Sequence, residues 1–405
     1  MVLASRLLTG DLSWSRFVIR QARHGLRPEL RRLSPGVVIK TSAPFTGRAL
    51  SLFEKPPVGA EPVASTERSR PESLSTKSDV DEDPRGANDG QDAAPDVSIV
   101  VTTFNRAPAL GRCLESLAAQ TCDPRLFEVV VVDNNSTDGT VDLARCASAR
   151  HGNIRHVVET AQGVSNARNR GVREARGNYV GFIDDDAEAA EDWIEQALIC
   201  FQQTVPRPEV VGGVILPRFL GPMPVWAPES FWTFSWGDHG RFLEPGETFY
   251  GSNMFFTKRT LSAVGGFDPA MGVVGNKLMF GDDDAYFARL WALLGAEAHA
   301  YYSPQLRVFH GIPPARTTIG YRLRAAFAGG QSVASRELNK LPRRRRTVAV
   351  LRLGYRLLRE AWRAFRAIHT ASGLRHWIAR DVASIVARLA ALLWAVGLRP
   401  KIGRR

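Results

Sequence analysis

Three consecutive carboxylates, Asp184, Asp185 and Asp186, stand at the end of a short apolar run over residues 177–183. Adjacent carboxylates repel one another and are costly to bury, so a strand that ends in three of them needs a counter-charge. The usual counter-charge is a divalent cation with a phosphate on its far side. These residues therefore predict an enzyme that handles a metal-bound diphosphate. A solvated acidic turn is the non-functional alternative.

A second acidic group, Asp282, Asp283 and Asp284, opens a predicted helix over Asp282–Leu294. Acidic side chains are favoured at a helix N-terminus by the helix dipole alone, which explains them without any chemistry. The functional alternative is a general base, because a carboxylate here could take a proton from a reacting hydroxyl. The residues by themselves leave both interpretations open.

Strands and helices alternate in the first half of the folded region, which predicts a parallel sheet with helices on both faces. The predicted strands cover residues 97–103, 127–133, 154–159, 179–184 and 209–216, and the predicted helices cover residues 108–119, 140–149, 165–175 and 191–203. Ligands of such sheets bind beyond the carboxyl ends of the strands. Because Asn105, Asp133 and Asp184 fall at or just past strand ends, we expect them to line one cleft.

The second half is less regular. Residues 217–250 are rich in aromatic residues and proline, which predicts a long, partly ordered loop that either covers an acceptor or packs as core. Two further strands are predicted over residues 249–256 and 296–302. His310 follows the strand-like pair Val308 and Phe309, and a lone histidine of this kind is usually a packed or exposed residue.

Six short motifs occur in order between residues 98 and 284. They are Ser-Ile-Val-Val-Thr-Thr-Phe-Asn-Arg at 98–106, Val-Val-Val-Val-Asp-Asn-Asn-Ser-Thr-Asp-Gly-Thr at 129–140, the stretch 163–186 with Ala-Arg-Asn at 167–169, Gly-Ser-Asn-Met at 251–254, Gly-Gly-Phe-Asp at 265–268 and Gly-Asp-Asp-Asp at 281–284. With this order and spacing, the chain resembles the family 2 glycosyltransferases over about residues 97–312. The family's usual Pro-Thr-Tyr-Asn is Thr-Thr-Phe-Asn here, and its usual Glu-Asp pair is Asp-Asp.

The resemblance implies the GT-A fold, which is an α/β, Rossmann-like and mostly parallel sheet with helices on both faces. It also implies an inverting, metal-dependent transfer of a sugar from a nucleotide-sugar donor to a glycan or a lipid-linked acceptor, in polysaccharide or glycoconjugate biosynthesis. A nucleotidyltransferase is one alternative, although it usually has a Gly-rich loop with Arg and Lys after the first strand, which is missing here. A non-catalytic scaffold is another, but it should show broken acidic motifs.

By resemblance, residues at the ends of the first two strands are expected to bind the donor nucleotide. Asp133 is expected to accept a hydrogen bond from the nucleobase, and an Asx-turn is the alternative. Thr103, Phe104 and Asn105 are expected to shape the base and ribose pocket, or else to form an ordinary turn. Arg168 is expected to pair with donor phosphates or to brace the carboxylates, with a surface ion pair as the alternative.

The D-x-D pattern of the family maps onto Asp184 and Asp186. Asp186 is expected to bind Mg²⁺ or Mn²⁺ directly, and Asp184 to contact the ribose or a metal-bound water. Asp185 is grouped with the donor-binding residues. Some GT-A enzymes use a histidine near the position of His310 as a further metal or diphosphate ligand, so it is the third candidate metal residue.

The catalytic base implied by the family is Asp283, by alignment on Gly281, and Asp282 is the second candidate. Inversion requires one carboxylate to take the proton of the acceptor hydroxyl on the face opposite the leaving group.

Charge is unevenly distributed along the 405 residues, whose formal net charge is +12. Residues 1–50 carry nine Lys and Arg against two acidic residues, and residues 321–405 carry 20 against three. Such ends suit an anionic membrane surface or a nucleic acid, and we favour the membrane because no nucleic-acid-binding motif is present. Apolar residues between Trp377 and Val396 recur at helical spacing, which predicts a basic amphipathic helix that either lies in the membrane interface or packs on the catalytic domain.

Five segments are expected. They are a basic segment over residues 1–53 with a possible amphipathic helix near 12–22, a disordered linker over 54–95, the donor-binding half over 96–216, the acceptor-binding half over 217–320 and basic helices over 321–405. No secretory signal or run of about 20 apolar residues is evident.

The four cysteines are Cys113, Cys122, Cys146 and Cys200, and none forms a Cys-x-x-Cys pair. We expect buried free thiols, which favour a reducing compartment and hence a peripheral protein at the cytoplasmic face of a membrane.

Overall fold

The computed structural model describes residues 94–273, 280–338, 341–369 and 373–398. The predictions for residues 1–93, namely the basic segment and nearly all of the linker, lie outside the described residues.

The strands of the described residues form one nine-stranded sheet. They are β1 (Val97–Thr103), β2 (Phe127–Asp133), β3 (Ile154–Val158), β4 (Tyr179–Asp184), β5 (Ala187–Ala189), β6 (Val210–Phe219), β7 (Arg241–Phe242), β8 (Met254–Thr257) and β9 (Ala300–Ile312). Their order across the sheet is β3-β2-β1-β4-β8-β6-β9-β5, and β7 pairs with β9.

The helices connect these strands and then continue beyond the sheet. They are α1 (Ala107–Ala118), α2 (Thr140–Arg150), α3 (Val164–Glu174), α4 (Trp193–Gln203), α5 (Lys258–Val264), α6 (Asp282–Leu294), α7 (Ile319–Leu338), α8 (Arg343–Ala367), α9 (Leu374–Trp377) and, after a π-helical stretch over Ile378–Val382, α10 (Ala383–Ala395).

The central strands are buried on both faces because they consist largely of valine and isoleucine. Every residue of β2 is buried. On one face, Ile99 and Val101 pack with α1, α2 and α4, and on the other face Val100 packs with α3, α5 and α6. A sheet covered on both sides in this way confirms the predicted fold class.

The register of the parallel strands aligns their polar ends. Thr103 of β1 lies opposite Asp133 of β2, and Thr102 lies opposite Asp184 of β4. The predicted cleft therefore starts from adjacent strand ends at one edge of the sheet.

The second half of the sheet differs from the prediction. β8 runs antiparallel between β4 and β6 and is shorter than the predicted strand, because residues 250–253 form a turn in which Asn253 N–H donates to Tyr250 O. The buried amide of Asn253 then donates to the carbonyl oxygens of Val214 and Leu306, which joins β6 to β9. β9 starts later and runs much further than predicted, and it includes His310. The short elements β5 and α5 were not predicted.

The cysteines are free, but the expectation that all are buried is wrong for Cys146. The buried positions of α2 are Thr140 and Ala144. Cys146 lies two residues beyond Ala144, about 200° around the helix, and so faces outward.

The three long C-terminal helices pack on one another. Ala334 of α7 and Ala391 of α10 are buried together, and Ala349 and Leu353 of α8 pack against them. The apolar residues of α10 thus have protein partners, but the partners in this cluster belong to α7 and α8, whereas the packing alternative placed them on the catalytic domain. Helices both long and apolar enough to cross a bilayer are absent from the described residues.

Gly330 permits the close approach of α7 and α10. A Cβ atom at this position would lie 1.9 Å from the carbonyl oxygen of Ala387, whereas one at Gly329 would have nothing within 4 Å. We expect Gly330→Ala to lower the free energy of unfolding by about 1–3 kcal/mol, the usual cost of overpacking. Gly329→Ala should be neutral or stabilising by up to ~1 kcal/mol, because alanine is the better helix former. Denaturant unfolding of both variants tests this, and equal shifts would contradict it.

Candidate active site

The loops after β1 and β2 are joined through Asn105. Its φ of 52° is unusual for a residue other than glycine, although asparagine tolerates it better than most. Asn105 Oδ1 accepts the Thr137 N–H at 2.7 Å, and the Asn105 N–H donates to Ser136 Oγ at 2.9 Å. These bonds fix the turn in which Phe104 lies half-buried.

Asp133 ends β2 and is almost fully buried. Both of its carboxylate oxygens accept the Ser136 N–H, at 3.3 and 3.2 Å, so the Asx-turn alternative is present in this structure. Asn134, which sequence reasoning missed, accepts the Gly163 N–H at 2.7 Å and donates to the carbonyl oxygen of Glu159 at 2.9 Å. Its position inside the quoted motif at 129–140 is the feature of the sequence that could have identified Asn134 as part of the site.

Asp185 turns back toward β1. Its carboxylate accepts hydrogen bonds from Thr103 Oγ1 at 2.8 Å and from Arg106 Nη1 at 2.9 Å. Burial raises the pKa of Asp185 to about 6, although Arg106 opposes this shift. Both Asp185 and Thr103 are therefore engaged inside the protein rather than exposed to the cleft.

Asp184, Asp186 and His310 come together as a potential metal-binding group. One ligand atom from each lies within 4.8 Å of the others. His310 Nε2 is 3.2 Å from Asp186 Oδ1. Two carboxylates and one imidazole, all partly exposed, supply oxygen and nitrogen donors that suit Mn²⁺ or Mg²⁺.

The strand β5 explains how His310 reaches the aspartates. Ala187 of β5 pairs with His310 of β9, and Gly311 N–H donates to the Asp186 carbonyl oxygen at 2.7 Å. This short antiparallel pairing holds His310 beside the end of β4 across more than 120 residues of sequence.

Asp186 contacts one histidine and two arginines. Besides His310, Arg106 Nη1 lies at 2.7 Å and Arg316 Nη2 at 3.0 Å from Asp186 Oδ2. Burial alone would raise the pKa of Asp186, but His310 and the two arginines hold it well below its usual value. Burial lowers the pKa of His310, but Asp186 outweighs it and the net shift is upward.

Sequence reasoning missed both arginines. Arg106 is the last residue of the quoted motif at 98–106, whereas no motif in the sequence pointed to Arg316.

Arg168 braces the carboxylates of two elements. It is buried on α3, donates to Asp282 and, at 2.8 Å, to Asp283, and lies 3.4 Å from Asp184. Burial would lower the pKa of Arg168, but these three carboxylates raise it above its usual value. One guanidinium thus connects the acidic end of β4 to the start of α6.

Asp283 is held at the N-terminus of α6, which starts after Gly281 in a left-handed conformation. Its Oδ1 accepts from Arg168, and its Oδ2 accepts the Gly251 N–H at 2.9 Å. Burial raises the pKa of Asp283 to about 7, with Arg168 opposing the shift. Asp282 is the more buried of the pair and is also bonded to Arg168.

The aromatic loop of residues 217–250 packs in part on the C-terminal helices. His376 of α9 contacts the Trp226 carbonyl oxygen at 3.0 Å, and its ring lies 5.4 Å from that of Phe231. Met223 and Val225, at the start of the loop, remain exposed. The loop therefore contacts the C-terminal helices through Trp226 and Phe231, while side chains at its start are exposed.

Comparisons with known proteins agree with this architecture. The family model described as Glycosyl transferase family 2 matches residues 98–262. A glucosyl-dolichyl phosphate glucuronosyltransferase of Haloferax volcanii is 29% identical over 249 residues, which are 58% of this chain and 75% of that protein. A PGL/p-HBAD biosynthesis glycosyltransferase of Mycobacterium bovis is 39% identical over 127 residues, which are 31% of this chain and 48% of that protein.

Among solved structures, a mannosyltransferase from Pyrobaculum calidifontis, in complex with GDP-Man and Mn²⁺, is similar with a TM-score of 0.51. The match covers 75% of this chain and 88% of that one, at 21% sequence identity. At this identity the similarity concerns the fold.

Proposed function

The chain belongs to glycosyltransferase family 2 through residues 98–262, and on that premise we propose that it transfers a sugar from a nucleotide-sugar donor to a glycan or lipid-linked acceptor, with inversion. The observation that carries this proposal is the grouping of Asp184, Asp186 and His310. Asp283 is tied to the same group through Arg168. Asp184, a candidate metal ligand, and Asp283, the candidate base, therefore share the guanidinium of Arg168 as their positively charged partner.

Asp184, Asp186 and His310 are the residues that would hold Mg²⁺ or Mn²⁺. When bound, the ion would neutralise charge on the departing nucleoside diphosphate. Arg106 and Arg316, which contact Asp186, add positive charge at the same end of the cleft, where they can bind phosphate oxygens. The mannosyltransferase of similar fold was solved in complex with GDP-Man and Mn²⁺, which supports a nucleotide-sugar donor and a divalent cation.

Phe104, Asn105 and Asp133 are proposed to form the wall against which the base and ribose bind, and the buried Thr103 supports this wall from within the protein through its hydrogen bond to Asp185. The hydrogen bonds between the two loops keep this wall in one shape before the donor arrives. Asp133 can accept a bond from a base while it caps Ser136, because a carboxylate has about four acceptor positions.

Asp283 is proposed as the general base. Its carboxylate takes the proton of the acceptor hydroxyl as that oxygen bonds to the anomeric carbon and the bond to the diphosphate breaks. Arg168 and the Gly251 N–H hold both carboxylate oxygens in place. A pKa near the working pH suits such a base, since the group must both hold and release a proton.

The rate of transfer is expected to depend on the ionisation of Asp283. Only the deprotonated carboxylate accepts a proton, so kcat/KM should rise with pH and level off above about 7. The measurement is a pH–rate profile of the wild type and of Asp283→Asn at saturating metal. The rise near pH 7 should vanish in the variant, and its persistence would assign it to another group.

The metal site is tested through Asp186→Asn. We expect metal-dependent donor binding to fall by on the order of 100-fold or more, because outer partners of metal ligands alone contribute about 10–100-fold. Calorimetry with a panel of nucleotide-sugars and Mn²⁺, Mg²⁺ or EDTA measures this, and Asp142→Asn on the exposed side of α2 is the control. Unchanged metal-dependent binding in Asp186→Asn would contradict the assignment.

The same panel tests the reaction. A glycosyltransferase should release a nucleoside diphosphate from one donor, whereas a nucleotidyltransferase would form pyrophosphate from a nucleoside triphosphate. If no donor bound in the presence of metal, the catalytic proposal would fail and the scaffold alternative would remain.

We also propose that the protein works peripherally at the cytoplasmic face of a membrane. The dolichyl phosphate in the name of the Haloferax relative supports a lipid-linked acceptor. The excess of arginine in residues 321–405 supports an anionic surface, and the free thiols support a reducing compartment.

A further inference from the structure

One face of α8 carries a continuous row of large apolar side chains that are exposed. This outer stripe consists of Val348, Leu351, Tyr355, Leu358, Trp362 and Phe365, whose exposed fractions lie between 45% and 71%. Folded proteins rarely leave so many large apolar groups together in water, and such a patch usually marks an interaction site.

The spacing places the outer stripe on one side of the helix. Its members follow one another at alternating intervals of three and four residues, which keeps them on one face. The opposite side is used within the protein, since Ala364 is buried and Leu353 packs against α7 and α10. The outer stripe is therefore not part of the core formed by the described residues.

Positive charge runs along the edge of the stripe. Arg352, Arg359 and Arg366 each lie four residues after a stripe residue, and the guanidinium of Arg366 is 4.7 Å from the ring centroid of Trp362. α8 contains nine arginines and one acidic residue, Glu360. Glu360 is already paired with Arg388 at 3.3 Å.

The arginines also repel one another. The pKa of Arg356 is lowered by burial first and then by Arg388, Arg359 and Arg352. A surface with nine arginines and one acidic residue beside exposed apolar side chains suits a partner that is both anionic and apolar.

We propose that the outer stripe of α8 inserts into the interface of an anionic lipid bilayer, with the arginines bound to lipid phosphates. Tyrosine and tryptophan prefer this depth because their rings have an apolar body and a polar edge. Arginine side chains can extend to the headgroups while their stems cover apolar surface. The inference rests on the proposed membrane association and names the helix responsible for it.

Charge argues against two other occupants. In a coiled coil with a second copy, the positions beside the seam decide pairing. Here Arg352, Arg359 and Arg366 occupy such positions, and the one acidic residue of α8, Glu360, is already paired with Arg388. Residues 1–50 of the chain are themselves basic. Anionic lipid is the occupant that complements both the charge and the apolar surface.

The helix α8 is connected to the aromatic loop through α9. Trp377 Nε1 of α9 donates to the carbonyl oxygen of Ala364 on α8 at 2.7 Å, and the neighbouring His376 contacts Trp226 of the loop. α8 thus contacts, through α9, the loop that is expected to belong to the acceptor-binding half of the protein. This arrangement suits an acceptor whose lipid remains in the membrane.

The test uses the full chain and vesicles of phosphatidylcholine, with and without an equal part of phosphatidylglycerol. The wild type is expected to sediment with the anionic vesicles and to be released as salt increases. The double variant Leu358→Glu, Trp362→Glu should bind the anionic vesicles at least about tenfold more weakly than the wild type. Leu293→Glu, at a similarly exposed leucine of α6, is the control and should bind as the wild type does.

Three results would overturn the inference. If the wild type bound neither kind of vesicle, membrane association and the role of α8 would both fail. If it bound anionic vesicles but the double variant bound equally well, only the assignment to α8 would fail. A self-associating wild type that the double variant converts to monomer, without vesicle binding, would mark the stripe as an interface between copies. Donor hydrolysis by the double variant, measured in parallel, keeps these outcomes separate from the transfer reaction and reports an intact fold.

Discussion

Exchange of Asp283 for asparagine is expected to lower the transfer rate by roughly 10²- to 10⁴-fold, which is the usual contribution of a positioned general base. The amide keeps the shape of the side chain and can still accept from Arg168 or Gly251, but it cannot take a proton. Donor binding should therefore change far less than kcat. Steady-state kinetics with calorimetry of the donor complex separate the two effects.

Two neighbours on the same helical turn are the controls. Asp284→Asn should retain most of the activity, because Asp284 is not among the partners of Arg168. Asp282→Asn removes a buried partner of Arg168. It should lower the free energy of unfolding, but it should reduce the transfer rate less than Asp283→Asn does. If Asp282→Asn abolished turnover while Asp283→Asn left it intact, Asp282 would be the base.

Exchange of Arg168 for methionine is expected to reduce the free energy of unfolding by about 3–5 kcal/mol, because it leaves buried carboxylates without a counter-charge. Asp184, Asp282 and Asp283 would then face one another across the site. Methionine has a similar length, so loss of packing is small. Denaturant unfolding at several pH values is the measurement.

The loss should be larger at high pH. Arg168 lowers the pKa of Asp283, so its removal raises that pKa further above the unfolded value. A carboxyl group with a raised pKa binds its proton more tightly in the folded state, and stability falls as pH rises through the folded-state pKa. The variant should therefore be closest to the wild type below the unfolded pKa of about 4 and furthest from it above pH 7.

Arg170→Met is the matched control on α3. Arg170 is about one-third exposed and pairs with Glu174 four residues later, so its loss should cost less than about 1 kcal/mol. Equal destabilisation in the two variants would show that Arg168 is an ordinary surface ion pair, which was the third interpretation of this residue from the sequence.

The central strands and the acidic groups could be predicted because local patterns define them. β1, β2 and β4 start and end as expected, since each is a mainly apolar run that contains β-branched residues and ends in a polar residue. α6 also has the predicted bounds, because three acids open it and a glycine follows it. Parallel strands align their carboxyl ends, so the shared cleft followed from the same patterns.

The partners of the acidic groups were decided by tertiary structure. Arg316 and Asp186 are separated by 130 positions, and no local pattern relates them. The strand β5 has three residues, too few for a period to be visible, and yet its pairing holds His310 beside Asp186. Sequence reasoning offered three interpretations of Arg168, and only the fold shows it bonded to three carboxylates.

The C-terminal helices show the same division most clearly. The sequence determined that this region forms basic amphipathic helices, because apolar residues recur there at helical spacing among arginines. It did not determine which apolar face is covered. The structure packs α10 against α7 and α8, and leaves the outer stripe of α8 exposed. Periodicity defines a face, but only the arrangement of neighbouring helices decides whether that face meets protein or solvent.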